Sequence, residues 1–147
     1  MTIQVHCDGS STGRSGREGG WAYVIEQDGK VLYAGKGGHP ETTNNLMEME
    51  GAIQGLRALE KVGPKHWRNK EAVILVSDSK YCLGMATGKL AAATNLEKVA
   101  ELQALYKRIC TDSRWVHGHT GDKYNERCDS LAKIGKQEAL LSVLKGR

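Results

Sequence analysis

"AVILVSD", residues 72–78, is the stretch on which the fold turns. Its apolar residues run unbroken to Ser77, the length of a short strand and too short for a helix of its own. A strand apolar on both sides is covered on both faces, which puts it at the centre of an α/β sheet. Asp78 follows directly, at the carboxyl end where open α/β sheets bind their ligands. On position alone, Asp78 is as well suited to cap a short helix over about 79–86.

The pattern spreads outward from that strand. "TIQVHCD" (2–8) alternates, with Ile3, Val5 and Cys7 facing one way and Gln4, His6 and Asp8 the other. Asp8 is expected to end this first strand before a Gly/Ser-rich turn region, "GSSTGRSGREGG" (9–20). "WAYVIEQDGKVLYAGKG" (21–37) reads as two strands around an Asp28-Gly29 hairpin turn. Residues 43–61 read as a helix. Thr94 and Glu97 have the spacing of a capping box that opens a helix running to about Cys110. "RWVHG" (114–118) is expected to be a last short strand, and a helix from about Lys123 closes the chain. The expected order is β-β-β-α-β-α-α-β-α. That is one α/β domain over residues 1–147, a five-stranded mixed sheet with its first three strands antiparallel and helices packed on it.

Composition sets bounds. A hydrophobic content of 39% with 26% charged residues describes a globular chain rather than a disordered one. No apolar run approaches the ~18 residues of a membrane span, and "MTIQVHCDG" is a strand pattern rather than a signal peptide. A cytoplasmic location without membrane contact is expected. Cys7, Cys82, Cys110 and Cys128 contain no C-x-x-C pair and are expected to be free thiols, not zinc ligands or disulfides. The net charge of +4 permits a polyanionic partner without requiring one.

Glu48 and Glu50 in "LMEMEGA" lie ~200° apart around a helix. Glu50 shares a stripe with Gln54, Arg57 and Lys61, which reads as a solvent face. Glu48 aligns with Ala52, Gly55 and Leu59, small or apolar residues of a packed face. A lone carboxylate there is costly unless a partner or a cation meets it. Asp8, at a strand end, is also suited to start a turn. Asp129 stands at the edge of a buried stripe beside Leu131 and Ala132, and an edge-exposed helix acid explains it equally well. Taken together, Asp8, Glu48, Asp78 and Asp129 make a set that repels itself unless divalent cations neutralise it. Oxygen ligands favour Mg²⁺ or Mn²⁺ over zinc.

These motifs resemble those of the type 1 ribonuclease H family over most of the chain and in the same order. "CDGSSTG" is similar to its first-strand motif, "TTNNLMEMEGA" to its helix start and "VSDSKY" to its strand end. "WVHGHTGDKYNERCDSLA" is similar to its closing segment. The resemblance implies hydrolysis of the RNA strand of an RNA–DNA hybrid, with low sequence specificity and 5′-phosphate products. It implies two Mg²⁺ ions per active site, which Mn²⁺ can replace. Asp8, Glu48 and Asp78 would hold one ion, and Asp8 and Asp129 the other. His119, on a Gly-flanked loop, would assist proton transfer or product release. Ser10, Ser11, Asn44, Asn45 and Asn125 would meet the substrate, and Thr43 would contact a DNA phosphate. The partner implied is the hybrid duplex, and the chain is expected to act as a monomer with no obligate protein partner.

The chain also departs from the family pattern. "GMATGKLAAATNLEK" (84–98) has only Lys89 and Lys98 and no Trp where many bacterial members carry a basic, Trp-rich protrusion. It is closer to members without that feature, which implies weaker and more salt-sensitive hybrid binding. Arg14 stands where Asn is frequent, and its guanidinium is suited to grip a phosphate instead. "KVGPKHWRNKEA" (61–72) gathers Lys61, Lys65, His66, Trp67, Arg68 and Lys70. That cluster suits either an auxiliary nucleic-acid surface or a solvated loop.

A non-catalytic nucleic-acid-binding module of the same fold is the competing class, and retention of all four acids argues against it. A junction resolvase or exonuclease of the wider superfamily is disfavoured by the Gly-His-Thr-Gly and Asn-Glu-Arg-Cys-Asp elements.

Overall fold

The computed structural model describes residues 2–13, 17–62, 72–118 and 120–146. The elements follow the expected order: β1 (Thr2–Ser11), β2 (Arg17–Gln27), β3 (Lys30–Thr42), α1 (Asn44–Lys61), β4 (Ala72–Ser77), α2 (Lys80–Thr87), α3 (Leu96–Ile109), β5 (Asp112–Trp115) and α4 (Lys123–Lys145). One five-stranded sheet runs β3-β2-β1-β4-β5. The first three strands are antiparallel, and β4 pairs parallel with both β1 and β5. The β2–β3 turn is Asp28-Gly29, both at positive φ (53° and 82°), as a two-residue hairpin with right-handed strand twist requires.

The sheet is covered on both faces. On one, Val5, Leu75 and Ile25 pack with Met49, Ile53, Leu56 and Leu102 in the main core. On the other, Ala22 and Val24 meet Cys128 and Ala132 of α4. His6 lies on this second face, 2% exposed, with its ring 4.7 Å from that of Tyr124. Glycines bring α4 close: a Cβ on Gly20 would stand 2.0 Å from the Ala132 carbonyl, and one on Gly38 2.3 Å from that of Gly135. The four cysteines are free thiols, and Cys7, Cys82 and Cys128 are buried. Among the described residues, no helix is long and apolar enough to cross a membrane.

Some expectations need correction. β1 does not end at Asp8 but continues to Ser11 against β2. β5 starts at Asp112 and ends at Trp115, two to three residues earlier than expected. Thr111 sets its start, since its backbone N donates to the Val73 carbonyl at 2.8 Å and its Oγ1 accepts from Val73 N at 3.1 Å. Thr94 is no cap: α3 starts after Asn95, which is left-handed at φ 57° and makes no side-chain cap bond. Nor is the Glu50 stripe an open solvent face. The side chain of Glu50 is 15% exposed and takes Lys98 of α3 at 2.6 Å. Arg57 pairs with Glu101, so two members of the stripe make ion pairs with α3, and Glu60 of α1 adds a third by accepting from Arg108 at 2.6 Å. The segment 84–98 forms the end of α2, a link containing Gly88 at φ 78°, and the start of α3, with no protruding helix.

Candidate active site

The site lies where two strands part. Parallel pairing of β1 with β4 stops at His6↔Val76, while antiparallel pairing with β2 continues to Ser11↔Gly19. Asp8 sits just past that fork, and Asp78 follows the end of β4. Because α1 and α4 flank opposite faces, Glu48 enters the fork from one side and Asp129 from the other. Asp8, Gly9, Asn44, Glu48, Asp78, Ser79 and Asp129 line one cleft of about 330 Å³.

Local sequence explains each placement. Thr43 caps α1, its Oγ1 accepting from Leu46 N at 3.2 Å. α1 then lies directly on β1, because a Cβ on Gly9 would come 2.3 Å from Glu48 N and one on Gly51 2.8 Å from the Asp8 carbonyl. Asp78 does not cap α2. Ser79 does, with Oγ accepting from Cys82 N at 3.0 Å, so the Asp78 carboxylate is left free. A Cβ on Gly118 would lie 2.9 Å from Asp78 Oδ2, so a glycine there lets the chain after β5 pass beside this carboxylate. Asp122 caps α4 by accepting from Tyr124 N and Asn125 N at 3.1 and 2.9 Å. That fixes the first turns of α4, which carry Asp129.

Asp8, Glu48 and Asp78 each offer an oxygen within 4.8 Å of the others. Asp8 and Glu48 are 3% and 4% exposed, and their carboxyl groups hydrogen-bond to one another. Burial, then the charge of Asp78, pushes Asp8 up to about 7, against the pull of Glu48 and of the Gly9 N–H at 2.9 Å. Burial and the charges of Asp8 and Asp78 raise Glu48 well above the usual carboxylate range. Glu48 Oε2 is buried without a hydrogen-bond partner. A converging oxygen set with an orphaned lone pair and suppressed ionisation fits a hard divalent cation, which would satisfy that oxygen and release the shared proton.

The fourth acid stands slightly apart. Asp129 lines the cleft, but it is not in the tight trio and holds Lys133 Nζ at 3.0 Å, one turn along α4. Asn44 is exposed in the cleft, Asn45 is exposed beside it, and Ser10 and Ser11 are half-buried at the end of β1. Asn125, expected at the substrate surface, is only 4% exposed in the first turn of α4. It is therefore not presented to solvent. Arg14, His119 and the cluster from Lys65 to Lys70 lie outside the described residues. Sequence reasoning missed Gly9 and Gly118, whose signal is a glycine beside a candidate acid. It also missed Lys133, whose signal is the i,i+4 spacing from Asp129.

A mixed sheet that gathers carboxylates at the fork of two parallel strands defines a class, the α/β folds with a candidate metal centre at the carboxyl end of the sheet. The family model described as RNase H matches residues 1–137. Ribonuclease H of Maricaulis maris is 39% identical, covering 94% of this chain and 95% of that one. Ribonuclease HI of Pseudomonas aeruginosa is 36% identical over 92% and 94%. Among solved structures, LC11-RNase H1, isolated from compost by a metagenomic approach, was determined in complex with RNA/DNA hybrid. It matches with a TM-score of 0.77 and 27% identity, covering 95% of this chain and 99% of that one. The chain belongs to the ribonuclease H family and is a ribonuclease H enzyme, a nuclease of a metal-dependent family.

Proposed function

We propose that the chain hydrolyses the RNA strand of RNA–DNA hybrids with two divalent cations, Mg²⁺ or Mn²⁺, leaving 5′-phosphate and 3′-hydroxyl ends. One observation carries this reading. In a ribonuclease H domain, Asp8, Glu48 and Asp78 converge within 4.8 Å and leave a buried Glu48 oxygen unsatisfied. Asp8, Glu48 and Asp78 would hold one ion, and Asp8 and Asp129 the other. The bound ions supply water activation and neutralise charge on the scissile phosphate. The remaining work falls to the chain. Asp8 and Glu48 give up their shared proton on loading, and Gly9 N–H orients the Asp8 carboxylate. Lys133 yields Asp129, an exchange made easy because an exposed i,i+4 ion pair is worth little. His119 would pass a proton to the leaving 3′-oxygen or assist product release.

Substrate choice follows from shape. A hybrid displays 2′-hydroxyls in a wide, shallow minor groove. Ser10, Ser11, Asn44 and Asn45 supply hydrogen-bonding groups beside the cleft to sense them. Thr43 meets a DNA phosphate with the O–H that capping leaves free to donate, and Arg14 grips another. Asn125, being buried, supports the start of α4. Contacts of this kind go to sugar and phosphate, so sequence specificity is low. All four acids come from one chain, so the reading needs no partner subunit.

The test is incubation with end-labelled hybrid, duplex RNA and duplex DNA in Mg²⁺, Mn²⁺ or EDTA. Metal-dependent cutting of RNA in the hybrid alone is expected. Cutting of duplex DNA, or hybrid binding without cutting in either metal, would overturn the reading.

A further inference from the structure

Asp78 differs from the other acids of the cleft in how its backbone is held. Asp8 lies in a strand and pairs with Ala22 of β2. Glu48 and Asp129 ride on the interiors of α1 and α4. Asp78 falls between the end of β4 and the start of α2, where neither a strand ladder nor a helix sets its conformation.

Two consecutive residues at the end of β5 supply that support. Val116 N donates to the Ser77 carbonyl at 3.0 Å, which holds the peptide before Asp78. Trp115 Nε1–H donates to the Asp78 carbonyl at 2.9 Å, which holds the peptide after it. The other end of that second peptide is tied as well, since Ser79 N donates to Ser77 Oγ at 3.0 Å. With both flanking peptide planes held, φ and ψ of Asp78 are fixed, and they set where its carboxylate points. The Val116 bond is one that any residue with a backbone N–H can make. The Trp115 bond belongs to one side chain.

The indole is placed for this bond rather than for the core. Trp115 is 39% exposed and belongs to neither apolar cluster. Lys80, the first residue of α2, brings its Nζ to 4.5 Å from the centroid of the ring. The His117 ring lies 4.8 Å away at 54°. Beyond His117 the chain returns to the same carboxylate, where a Cβ on Gly118 would lie 2.9 Å from Asp78 Oδ2. Thr120 Oγ1 then donates to the His117 carbonyl at 2.6 Å, so the residues on either side of this passage are joined.

We infer that Trp115 is a positioning residue for the reaction. Its N–H holds the Asp78 carboxylate in register with Asp8 and Glu48, and its contact with His117 fixes the chain that passes that carboxylate toward residue 119. It acts through Asp78 and not on the reacting atoms. Partners of this kind orient a metal ligand without touching the metal, and small displacements of a ligand are costly. The inference rests on the proposed function, since the part it gives Trp115 belongs to the metal-dependent cleavage proposed there.

The experiment titrates Mg²⁺ against two readouts, the rise in thermal unfolding temperature and the rate of hybrid cleavage. Trp115→Phe keeps an aromatic ring and removes the N–H. Its Mg²⁺ midpoint should rise by about ten-fold in both readouts, with KM for the hybrid within about two-fold of wild type. Trp21→Phe, which alters an indole on β2 away from Asp78, should move the midpoint by less than about two-fold. A Trp115→Phe protein that is less stable in EDTA but keeps the wild-type midpoint shows a merely structural role and overturns the inference. If Trp115→Phe does not fold, Ser77→Ala decides, because it frees the N–H end of the same peptide: a raised midpoint supports the inference and a wild-type midpoint overturns it. If wild type binds Mg²⁺ and cuts the hybrid while Trp115→Phe matches it, the inference alone falls. If wild type gains no stability from Mg²⁺ and cuts no hybrid, the proposed function falls and the inference with it.

Discussion

Asp8 is the residue at which the proposed chemistry and the stability of this chain meet. It is buried, it faces two other acids, and in the metal-free chain it keeps its proton up to about pH 7. The unfolded chain releases that proton near pH 4. Between those values the folded state binds more protons, so its stability falls as pH rises through the window. Asp8→Asn removes this penalty. In EDTA at pH 8 the variant should be more stable than wild type by about 1–3 kcal/mol in urea denaturation, and the gap should close toward pH 5. A gap independent of pH would show that repulsion is not the cause. The same variant, and Asp78→Asn, should lose hybrid cleavage by about 10³-fold or more with an unchanged circular dichroism spectrum. The acids were legible in the sequence to different degrees. Helical phase alone separated Glu48 from Glu50, and the structure buries the first and not the second. Asp78 stayed ambiguous until Ser79 proved to be the cap, and no sequence period could decide between neighbours that both cap helices well. The burial of Asn125 was illegible because it depends on what lies above the first turn of α4.

At the scale of elements, close backbone approach decides where α1 delivers Glu48. Gly9 permits it for steric reasons, since its φ is not in the positive range. Gly9→Ala should push α1 outward, costing about 1–3 kcal/mol in stability. It should also raise the Mg²⁺ concentration needed for half-maximal cleavage. A variant with the wild-type Mg²⁺ midpoint would show that the contact does not position Glu48. Helix starts offer a second test. Ser79→Ala should cost about 1 kcal/mol, whereas Thr94→Ala should change stability by less than about 0.5 kcal/mol because Thr94 caps nothing. The elements read best where the apolar signal was strong: β4, an unbroken apolar run, matches its expected span of 72–77 residue for residue. They read worst where that signal was absent. β5 is a polar edge strand with no apolar alternation, so its bounds come from hydrogen bonds to β4 rather than from its own side chains. The α1 stripe looked solvent-facing because a helix cannot show, from its own sequence, that a charged partner lies alongside.

At the scale of the whole molecule, the sheet brings together residues from four distant parts of the chain, and folding is completed against electrostatic resistance at the cleft. On the proposed function Mg²⁺ would bind the folded arrangement and not the dispersed chain, so it should stabilise wild type by about 2–3 kcal/mol at a hundred-fold excess over its Kd. Asp8→Asn should gain much less from Mg²⁺, and equal gains in the two proteins would place the bound ion elsewhere. The two ends of the sheet are unequal. Ile3 pairs with Gln27 and Asp8 with Ala22, so the Asp28-Gly29 turn stands about 17 Å or more from the cleft at ~3.4 Å per residue. A Cβ on Gly29 would meet nothing within 4 Å. This remote hairpin tip is an engineering port: a fluorophore, a surface tether or an inserted domain can be attached there while catalysis proceeds undisturbed at the far end.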